Sequence, residues 1–342
     1  MSYKKIILLG LMLSVFVACK KDDTSTTPVN NTFTGFVKPA SFPTPVYRFE
    51  YNPVNQAGFE LGRKLFYDGR LSRDGSISCG SCHQQGSGFA QFDHPVSHGV
   101  DDKLGVRNSP VIQNMAWAPF FFWDGGVFDL DLFPFAPIQN PVEMDETIPN
   151  VLAKLRADSK YPTLFKNAFG DDSITGTRMV QALSQFMNML VSSNSRYDKF
   201  MAGDASAMNA DEVEGMSIFM QHCNRCHTAP LFTDHSFHNN GITRLTDKGR
   251  YQITLNNDDM YKFKTPTLRN VEKSMPYFHD GRTNLLADAV NHYSTNIPAG
   301  STVDTALIGG IPLSSDQKNK LVLFLKTLTD DTFLHDARFS EQ

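Results

Sequence analysis

Two copies of the pattern C-x-x-C-H constrain this chain more than any other feature. Residues 79–83 read C-G-S-C-H and residues 223–227 read C-N-R-C-H, which accounts for four of the five cysteines. The pattern is typical of covalent c-type haem attachment: two thiols, Cys79 with Cys82 or Cys223 with Cys226, form thioethers with the haem vinyl groups. The following histidine then ligates the iron. Envelope disulfides and zinc sites remain alternatives, although two-pair zinc sites usually have closer pairs and need no adjoining histidine.

The N-terminus has the pattern of an export signal. Lys4 and Lys5 precede an apolar run over residues 6–18 that is too short to span a bilayer, which predicts a signal peptide over residues 1–18. Cys19 follows directly, as at a bacterial lipoprotein cleavage site, and would be the lipidated first residue. Phe16 is unusual at such a site, so a secreted protein without a lipid is the alternative. Both predict a periplasmic or cell-envelope location.

Composition limits the partners and the domain number. We predict a flexible tether over residues 19–45, followed by two haem domains over residues 46–204 and 205–342. The formal net charge is −4 and the basic residues are scattered, which argues against nucleic acid as a partner. No second long apolar run follows the first, so the lipid anchor would be the sole membrane contact.

A weak internal repeat precedes the two haem motifs. Gly62, Leu65 and Phe66 have the same spacing as Gly215, Ile218 and Phe219. The repeat indicates a mainly α fold with two cytochrome c-like haem domains and long irregular loops. Apolar periodicity predicts helices over residues 53–67, 147–157 and 177–200, and cap patterns predict helix starts at Asn209 and Ser314. The stretches 84–141 and 228–275 lack helical periodicity.

Further motifs lie between and after the haem motifs, in a fixed order. They are G-V-R-N-S-P at 105–110, F-W-D-G at 122–125, P-I at 137–138, P-V-E-M at 141–144, F-K-T-P-T-L-R-N at 263–270 and P-Y-F-H-D-G at 276–281. In this order they closely resemble the bacterial di-haem cytochrome c peroxidase family, which includes MauG-type enzymes. The resemblance covers about residues 50–330. It implies two cytochrome c-like domains with one haem each and the active site at the first haem.

The resemblance also implies roles for individual residues. His83 would be the proximal ligand of the peroxidatic haem and His227 that of the electron-transfer haem. Trp123 matches the tryptophan between the haems, although a large core aromatic is the alternative. Glu143 matches the distal acid, which moves a proton during cleavage of the peroxide O–O bond. An ordinary solvated glutamate is the alternative there.

A calcium ion is the third cofactor that the resemblance implies. Asn108, with the backbone carbonyls of Ser274 and Pro276, matches a site between the domains. Amide and carbonyl oxygens are ligands that a hard cation accepts. An asparagine in a purely structural turn is the alternative.

Three positions depart from the classical peroxidases. Tyr293 stands where they place a methionine ligand of the electron-transfer haem, as in MauG-type enzymes. A phenolate stabilises ferric iron, whereas methionine raises the haem potential. The neighbouring His292 would point about 100° away on a helix, so we rank it lower.

The other two departures concern the first haem. Val100 occupies the slot of the classical distal histidine, and His94 or His98 could substitute, or both could be surface histidines. Phe133 replaces the usual distal glutamine, which removes a hydrogen-bond partner for peroxide.

The leading hypothesis is an enzyme, a di-haem peroxidase that reduces hydrogen peroxide to water with electrons from a small cytochrome c or cupredoxin. The alternative is a MauG-like di-haem oxidase that acts on a protein or organic substrate through a high-valent iron state, which Tyr293 favours. A non-catalytic electron carrier is a third hypothesis. Both monomer and homodimer remain open.

Overall fold

Helices form almost all of the regular structure in a computed structural model that describes residues 33–243 and 246–342. The predicted signal peptide and Cys19 lie outside these residues. The predicted mainly α fold is confirmed, and no helix in the described ranges is long and apolar enough to cross a membrane. The helices are α1 Gln56–Phe66, α2 Cys79–Cys82, α3 Phe135–Gln139, α4 Ile148–Ala157, α5 Lys160–Phe169, α6 Gly176–Met189, α7 Arg196–Met201, α8 Ala210–His222, α9 Tyr251–Thr254, α10 Leu286–Ser294, α11 Ser315–Lys326 and α12 Asp331–Leu334.

The two stretches without helical periodicity contain only short elements. Strands β1 (Phe237–His238) and β2 (Phe263–Lys264) pair antiparallel in the second stretch. Elsewhere the chain forms 3₁₀ turns, isolated bridges and the short helices α3 and α9. Part of the predicted tether is packed: Phe42 is 3% exposed and its ring lies edge-on to Trp117 at 5.0 Å.

A glycine in each copy of the sequence repeat lets two helices pack very closely. α1 packs on α6, and α8 packs on α11. A Cβ atom at Gly62 would overlap the carbonyl oxygen of Ala182, and one at Gly215 would overlap that of Lys320. The absence of a side chain at these two positions is therefore a requirement of the packing, since backbone cannot move aside as a flexible side chain can.

The same repeat supplies matched aromatic contacts next to each glycine. Phe66 of α1 meets Phe186 of α6 with ring centroids 5.0 Å apart, and Phe219 of α8 meets Phe324 of α11 at the same distance. The interplanar angles are 54° and 49°. All four side chains are almost completely buried. The weak sequence repeat is thus a repeat of packing, with one helix pair in each half of the chain.

The expected helix over residues 177–200 is two helices. α6 ends at Met189 and α7 begins after Ser195. Between them the backbone N–H groups of Ser193 and Asn194 donate to the carboxylate of Asp330, at 2.9 and 2.8 Å. Ser195 then caps α7 in a capping box with Asp198. Short polar side chains that compete for backbone hydrogen bonds explain the break.

The other helix predictions are confirmed. Residues 53–67 contain α1, and residues 147–157 contain α4, which Thr147 caps. The predicted N-cap at Asn209 before α8 and the predicted capping box at Ser314 before α11 both form, and each is a capping box. In each box the side chain of the cap residue accepts a hydrogen bond from a backbone N–H of the first turn. The side chain of the third helical residue accepts a hydrogen bond from the backbone N–H of the cap residue.

We expect Gly62→Ala and Gly215→Ala each to lower the free energy of unfolding by about 1–3 kcal/mol, because the added methyl forces two packed helices apart. The measurement is denaturant unfolding of the holoprotein followed by far-UV circular dichroism. Gly86→Ala is the matched control, since a Cβ there meets no atom within 4 Å. Equal stability of all three variants would contradict the close-packing requirement.

Candidate haem sites

Each C-x-x-C-H motif lines a cavity of its own. The first cavity has a volume of about 730 Å³ and the second of about 240 Å³. The two cysteine pairs therefore do not come together in one zinc site, and none of the four thiols forms a disulfide. The first cavity is lined by Cys79, Cys82 and His83, and the second by Cys223, Cys226 and His227.

Both motif histidines are oriented by backbone carbonyls. Nδ1 of His83 lies 2.8 Å from the carbonyl of Phe89. Nδ1 of His227 lies 3.2 Å from the carbonyls of Phe232 and Pro266. Burial lowers the pKa of His83 to about 4 and also lowers the pKa of His227, so both rings are neutral at pH 7. With Nδ1–H donating to a carbonyl, Nε2 is the nitrogen left to ligate iron.

The wall between the two cavities contains Trp123. Its indole lines both cavities, and its Nε1–H donates to the carbonyl of Asn108 at 2.8 Å. Its own carbonyl accepts from the backbone N–H of Lys264 at 2.7 Å. The ring centroid lies 6.4 Å from that of His279. Trp123 is therefore fixed from both sequence halves, and among the described residues it is the aromatic side chain that the two cavity linings share.

Glu143 lines the first cavity in a turn after α3. Its carboxylate accepts from Nδ2 of Asn140 at 2.9 Å. Burial raises the pKa of Glu143, and the bond from Asn140 opposes part of that rise. The turn is held by the backbone N–H of Val100, which donates to the carbonyl of Glu143 at 2.8 Å. Gly99 permits this approach, because a Cβ there would overlap the backbone of Glu143.

The two histidines near the first cavity differ in position. His98 lines the cavity, whereas His94 is exposed, with its ring 4.4 Å from that of His98. Val100 is buried in protein with 1% exposure. Phe133 lines the same cavity, and its ring packs 4.9 Å from that of Phe122. This side of the first cavity thus offers an imidazole and a hydrophobic ring.

Tyr293 lines the second cavity from α10. Its hydroxyl accepts from Nδ2 of Asn240 at 3.1 Å. Burial raises the pKa of the Tyr293 hydroxyl, and the Asn240 bond lowers it in part. Nε2 of the neighbouring His292 lies 2.9 Å from the carbonyl of Asn240, and that side chain is outside the cavity lining. The structure therefore places the phenol, and not the imidazole, at the second cavity.

Comparison with known proteins identifies the family. A family model described as di-haem cytochrome c peroxidase matches residues 56–206. The chain is 36% identical over 289 residues to cytochrome c551 peroxidase of Nitrosomonas europaea, covering 82% of both proteins. It is 35% identical over 306 residues to methylamine utilization protein MauG of Methylorubrum extorquens, covering 86% of this chain and 83% of the relative. The chain belongs to the di-haem cytochrome c peroxidase/MauG family.

A solved structure supports the same assignment. The crystal structure of a MauG-like protein associated with microbial copper homeostasis matches with a TM-score of 0.80 and 30% identity, and the match covers 89% of this chain and 97% of that one. The family comprises di-haem oxidoreductases, which implies covalently bound haem c in this chain. The two separate cavities, each lined by the two thiols and the neutral histidine of its own motif, fit that cofactor.

The three residues expected at a calcium ion share one cavity in this family member. Asn108, Ser274 and Pro276 all line the second cavity. The backbone N–H of Asn108 donates to the carbonyl of His279 at 2.8 Å, and Nδ2 lies 3.4 Å from the carbonyl of Pro95. The side-chain nitrogen thus faces protein carbonyls, an arrangement that also suits a structural turn.

Sequence reasoning did not single out the ion-pair cluster beside Trp123. The Arg107 guanidinium donates to both carboxylate oxygens of Asp247, at 2.7 and 2.8 Å, and to the carboxylate of Asp124. It also donates to Oε1 of Gln252 at 3.0 Å and lies over the ring of Phe263. Burial alone would raise the pKa of Asp247, but the hydrogen bonds and charge of Arg107 lower it. The cluster joins the F-W-D-G segment to the loop after the second haem motif.

Two other groups missed from the sequence line the first cavity. They are His235 and Lys264, which come from the second half of the chain. Lys264 stands in the F-K-T-P segment that carries the family resemblance, so its position was marked but its chemistry was not. His235 carries no local pattern, and only folding brings it to this wall.

We expect Arg107→Gln to lower the free energy of unfolding by roughly 3–5 kcal/mol at pH 7, because it leaves the Asp247 carboxylate buried without a counter-ion. The pair stabilises fully above the ordinary Asp pKa of about 3.9 and loses its effect as pH falls through the lower folded pKa. Denaturant unfolding at pH 7 and in acid should therefore show that the difference in unfolding free energy between the wild type and Arg107→Gln becomes smaller in acid. Arg178→Gln, which breaks an exposed pair with Asp171, is the control. If the two variants lost the same amount of unfolding free energy at every pH, the stabilising role of the Arg107–Asp247 pair would be contradicted.

Proposed function

We propose that this protein is a di-haem peroxidase that reduces hydrogen peroxide to water at the haem held by His83, with electrons from a small external protein. The observation that carries the proposal is the position of Glu143. Its half-buried carboxyl group lines the same cavity as Cys79, Cys82 and His83. Trp123 lines that cavity and the second one, which supports a route for electrons between them.

Peroxide cleavage requires a group that moves a proton. When bound, the haem supplies an iron that coordinates peroxide and accepts its oxidising equivalents. Glu143 takes the proton from one peroxide oxygen and returns it to the oxygen that leaves as water. Burial raises the pKa of this carboxyl group and so brings that pKa closer to pH 7. A group whose pKa lies near the working pH can both accept and donate a proton. Asn140 holds the carboxylate in place, and Phe133 excludes water from that side of the cavity.

Electrons reach the first cavity across the shared wall. The indole of Trp123 shortens the gap between the two cavities, and its hydrogen bond to Asn108 fixes the ring. We propose His227 and Tyr293 as the ligands of the receiving haem iron in the second cavity. A cytochrome c or a cupredoxin is the proposed donor.

The remaining features of the proposal concern location and metal content. The lipoprotein-like N-terminus supports a periplasmic or cell-envelope location with a lipid at Cys19. The presence of Asn108, Ser274 and Pro276 in the lining of the same cavity supports a calcium ion there.

We expect Glu143→Gln to lower peroxidase turnover by about 10²–10⁴-fold, the usual contribution of a general acid–base group, while both haem absorption spectra stay unchanged. Steady-state oxidation of reduced cytochrome c by peroxide measures this. The wild type should also lose activity as pH falls through the raised pKa of Glu143, because the base becomes protonated. The variant should lack that acidic limb.

Glu60→Gln is the matched control for this substitution. Glu60 lies on the exposed face of α1, where it bonds Gln56 and lines neither cavity. Its variant should keep both the turnover and the pH profile of the wild type. Full turnover in Glu143→Gln would rule out Glu143 as the proton-moving group.

A second candidate function is a MauG-like oxidase that withdraws electrons from a protein or organic substrate. The specific observation that favours it is the phenol of Tyr293 at the second cavity, with Asn240 donating to its oxygen. Phenolate ligation stabilises the oxidised states of haem iron more than methionine does. Such a site suits the storage of oxidising equivalents.

The two functions differ in how long those equivalents persist after peroxide is added to the diferric protein. If the oxidase function holds, they should persist in the wild type and decay at least tenfold faster in Tyr293→Met, as followed by stopped-flow absorption. Tyr251→Met, at a position outside both cavities, is the control. If the oxidising equivalents had equal lifetimes in the wild type and in Tyr293→Met, Tyr293 would have no role in their storage. Rapid consumption of these equivalents by reduced cytochrome c would favour the peroxidase function.

A further inference from the structure

Lys264 is a half-buried cation whose ammonium group is influenced by the charge of Asp234, without an ion pair between the two in the part of the chain that the structure describes. Its side chain lines both cavities, and within residues 33–243 and 246–342 its ammonium group forms no ion pair or hydrogen bond. Burial lowers the pKa of Lys264 to about 8, only partly offset by the charge of Asp234. Holding an ammonium group partly out of water without a paired anion carries a desolvation cost. A carboxylate or another anion in the cavity would remove that cost.

His235 presents a second unsatisfied group to the same space. Both of its ring nitrogens are buried, and neither has a hydrogen-bond partner in the part of the chain that the structure describes. The residue lines the first cavity with a left-handed backbone, φ 56°. Lys264 lines the same cavity, and its charge contributes to lowering the pKa of the His235 ring. Strained non-glycine residues persist where surrounding interactions hold them, and they concentrate at functional sites.

The other cation of this wall is already neutralised. Arg107 lines the first cavity, but Asp124, Asp247 and Gln252 occupy its donors. Among the described residues of this wall, the Lys264 ammonium and the two ring nitrogens of His235 form no hydrogen bond or ion pair. Their unused donors fit an anion that enters with the cofactor.

The attachment chemistry indicates which anion that is. Thioether bonds form at the vinyl groups of haem, and the two propionate groups lie on the opposite edge of the macrocycle. The cysteines of each motif line only one cavity, whereas Lys264 lies on the wall that both cavities share. The propionate edge of a bound haem would therefore lie away from the cysteines, and the wall that the two cavities share contains none of the four cysteines.

We propose that Lys264 and His235 form a binding site for a propionate group of the haem attached to Cys79 and Cys82. The same segment fixes the indole between the cavities, because the backbone N–H of Lys264 donates to the carbonyl of Trp123 at 2.7 Å. One residue therefore holds the edge of the first haem through its side chain and Trp123 through its backbone. This site rests on the family's two haems and does not depend on whether peroxide is the substrate.

The test compares Lys264→Met, Lys264→Arg and Lys262→Met in the purified holoprotein, without peroxide. Lys262 lies two residues earlier, pairs with Asp259 at 3.7 Å and lines neither cavity. The readouts are the propionate bending bands in resonance Raman spectra and the haem midpoint potentials from spectroelectrochemical titration. We expect Lys264→Met to shift a bending band and lower the potential of the first haem, because a nearby cation favours the reduced iron. Lys264→Arg should keep the potential near that of the wild type.

If Lys264→Met gave the same propionate bending bands and the same midpoint potentials as Lys262→Met, the proposed site would be wrong. The proposal would also be wrong if Lys264→Met and Lys264→Arg lowered the midpoint potential of the first haem equally and neither shifted a propionate bending band. The charge at position 264 would then have no role. If Lys264→Met does not accumulate as holoprotein, Lys264→Gln takes its place with the same expected direction. His235→Leu should shift the same bending band, and an unchanged band would remove His235 from the site. Failure of the peroxidase proposal would appear in turnover and leave these readouts unaffected.

Discussion

The close approach of two helices at a glycine is the contact on which each haem cavity depends. At Gly62 and at Gly215 one helix backbone touches the carbonyl of its partner helix, and a phenylalanine pair packs directly beside the contact. A third phenylalanine completes each cluster, and its carbonyl orients the motif histidine. Helix packing therefore sets the direction of the motif histidine, because the residue that accepts the histidine hydrogen bond is itself part of the aromatic core. These third residues are Phe89 and Phe232.

The two cavities become chemically unequal through the loops that line them. The first receives Glu143, whose turn is held by a backbone bond from Val100 and by a close approach at Gly99. The second receives Tyr293 from α10. A carboxyl group thus lines the larger cavity, and a phenol the smaller one. A duplicated scaffold with different loops is enough to give the two cavities different chemical groups.

Local patterns predicted much of this fold. Glycine and aromatic spacing located the repeat, capping boxes located the starts of α8 and α11, and the C-x-x-C-H motifs located both cavities. The break between α6 and α7 was missed because its cause, the carboxylate of Asp330, lies far along the chain. The same limit applies to Arg107 and Asp247, and to His235 and Lys264. Their chemistry arises from contacts between segments that have no periodicity, which the sequence does not display.

The wall between the cavities shows why such segments are long and irregular. This wall presents an indole, a peptide carbonyl and charged groups to two cavities at once. In a regular helix, successive side chains point in directions set by the helical repeat, which does not allow this arrangement toward both cavities. The two-residue strand β2 instead bonds the backbone of Trp123 on one edge and pairs with β1 on the other. The Arg107 cluster closes this arrangement with buried charges, whose desolvation is offset only while every partner is in place. Precise placement of the redox groups in this protein therefore rests on polar contacts between loops, above a frame that hydrophobic helix packing holds rigid.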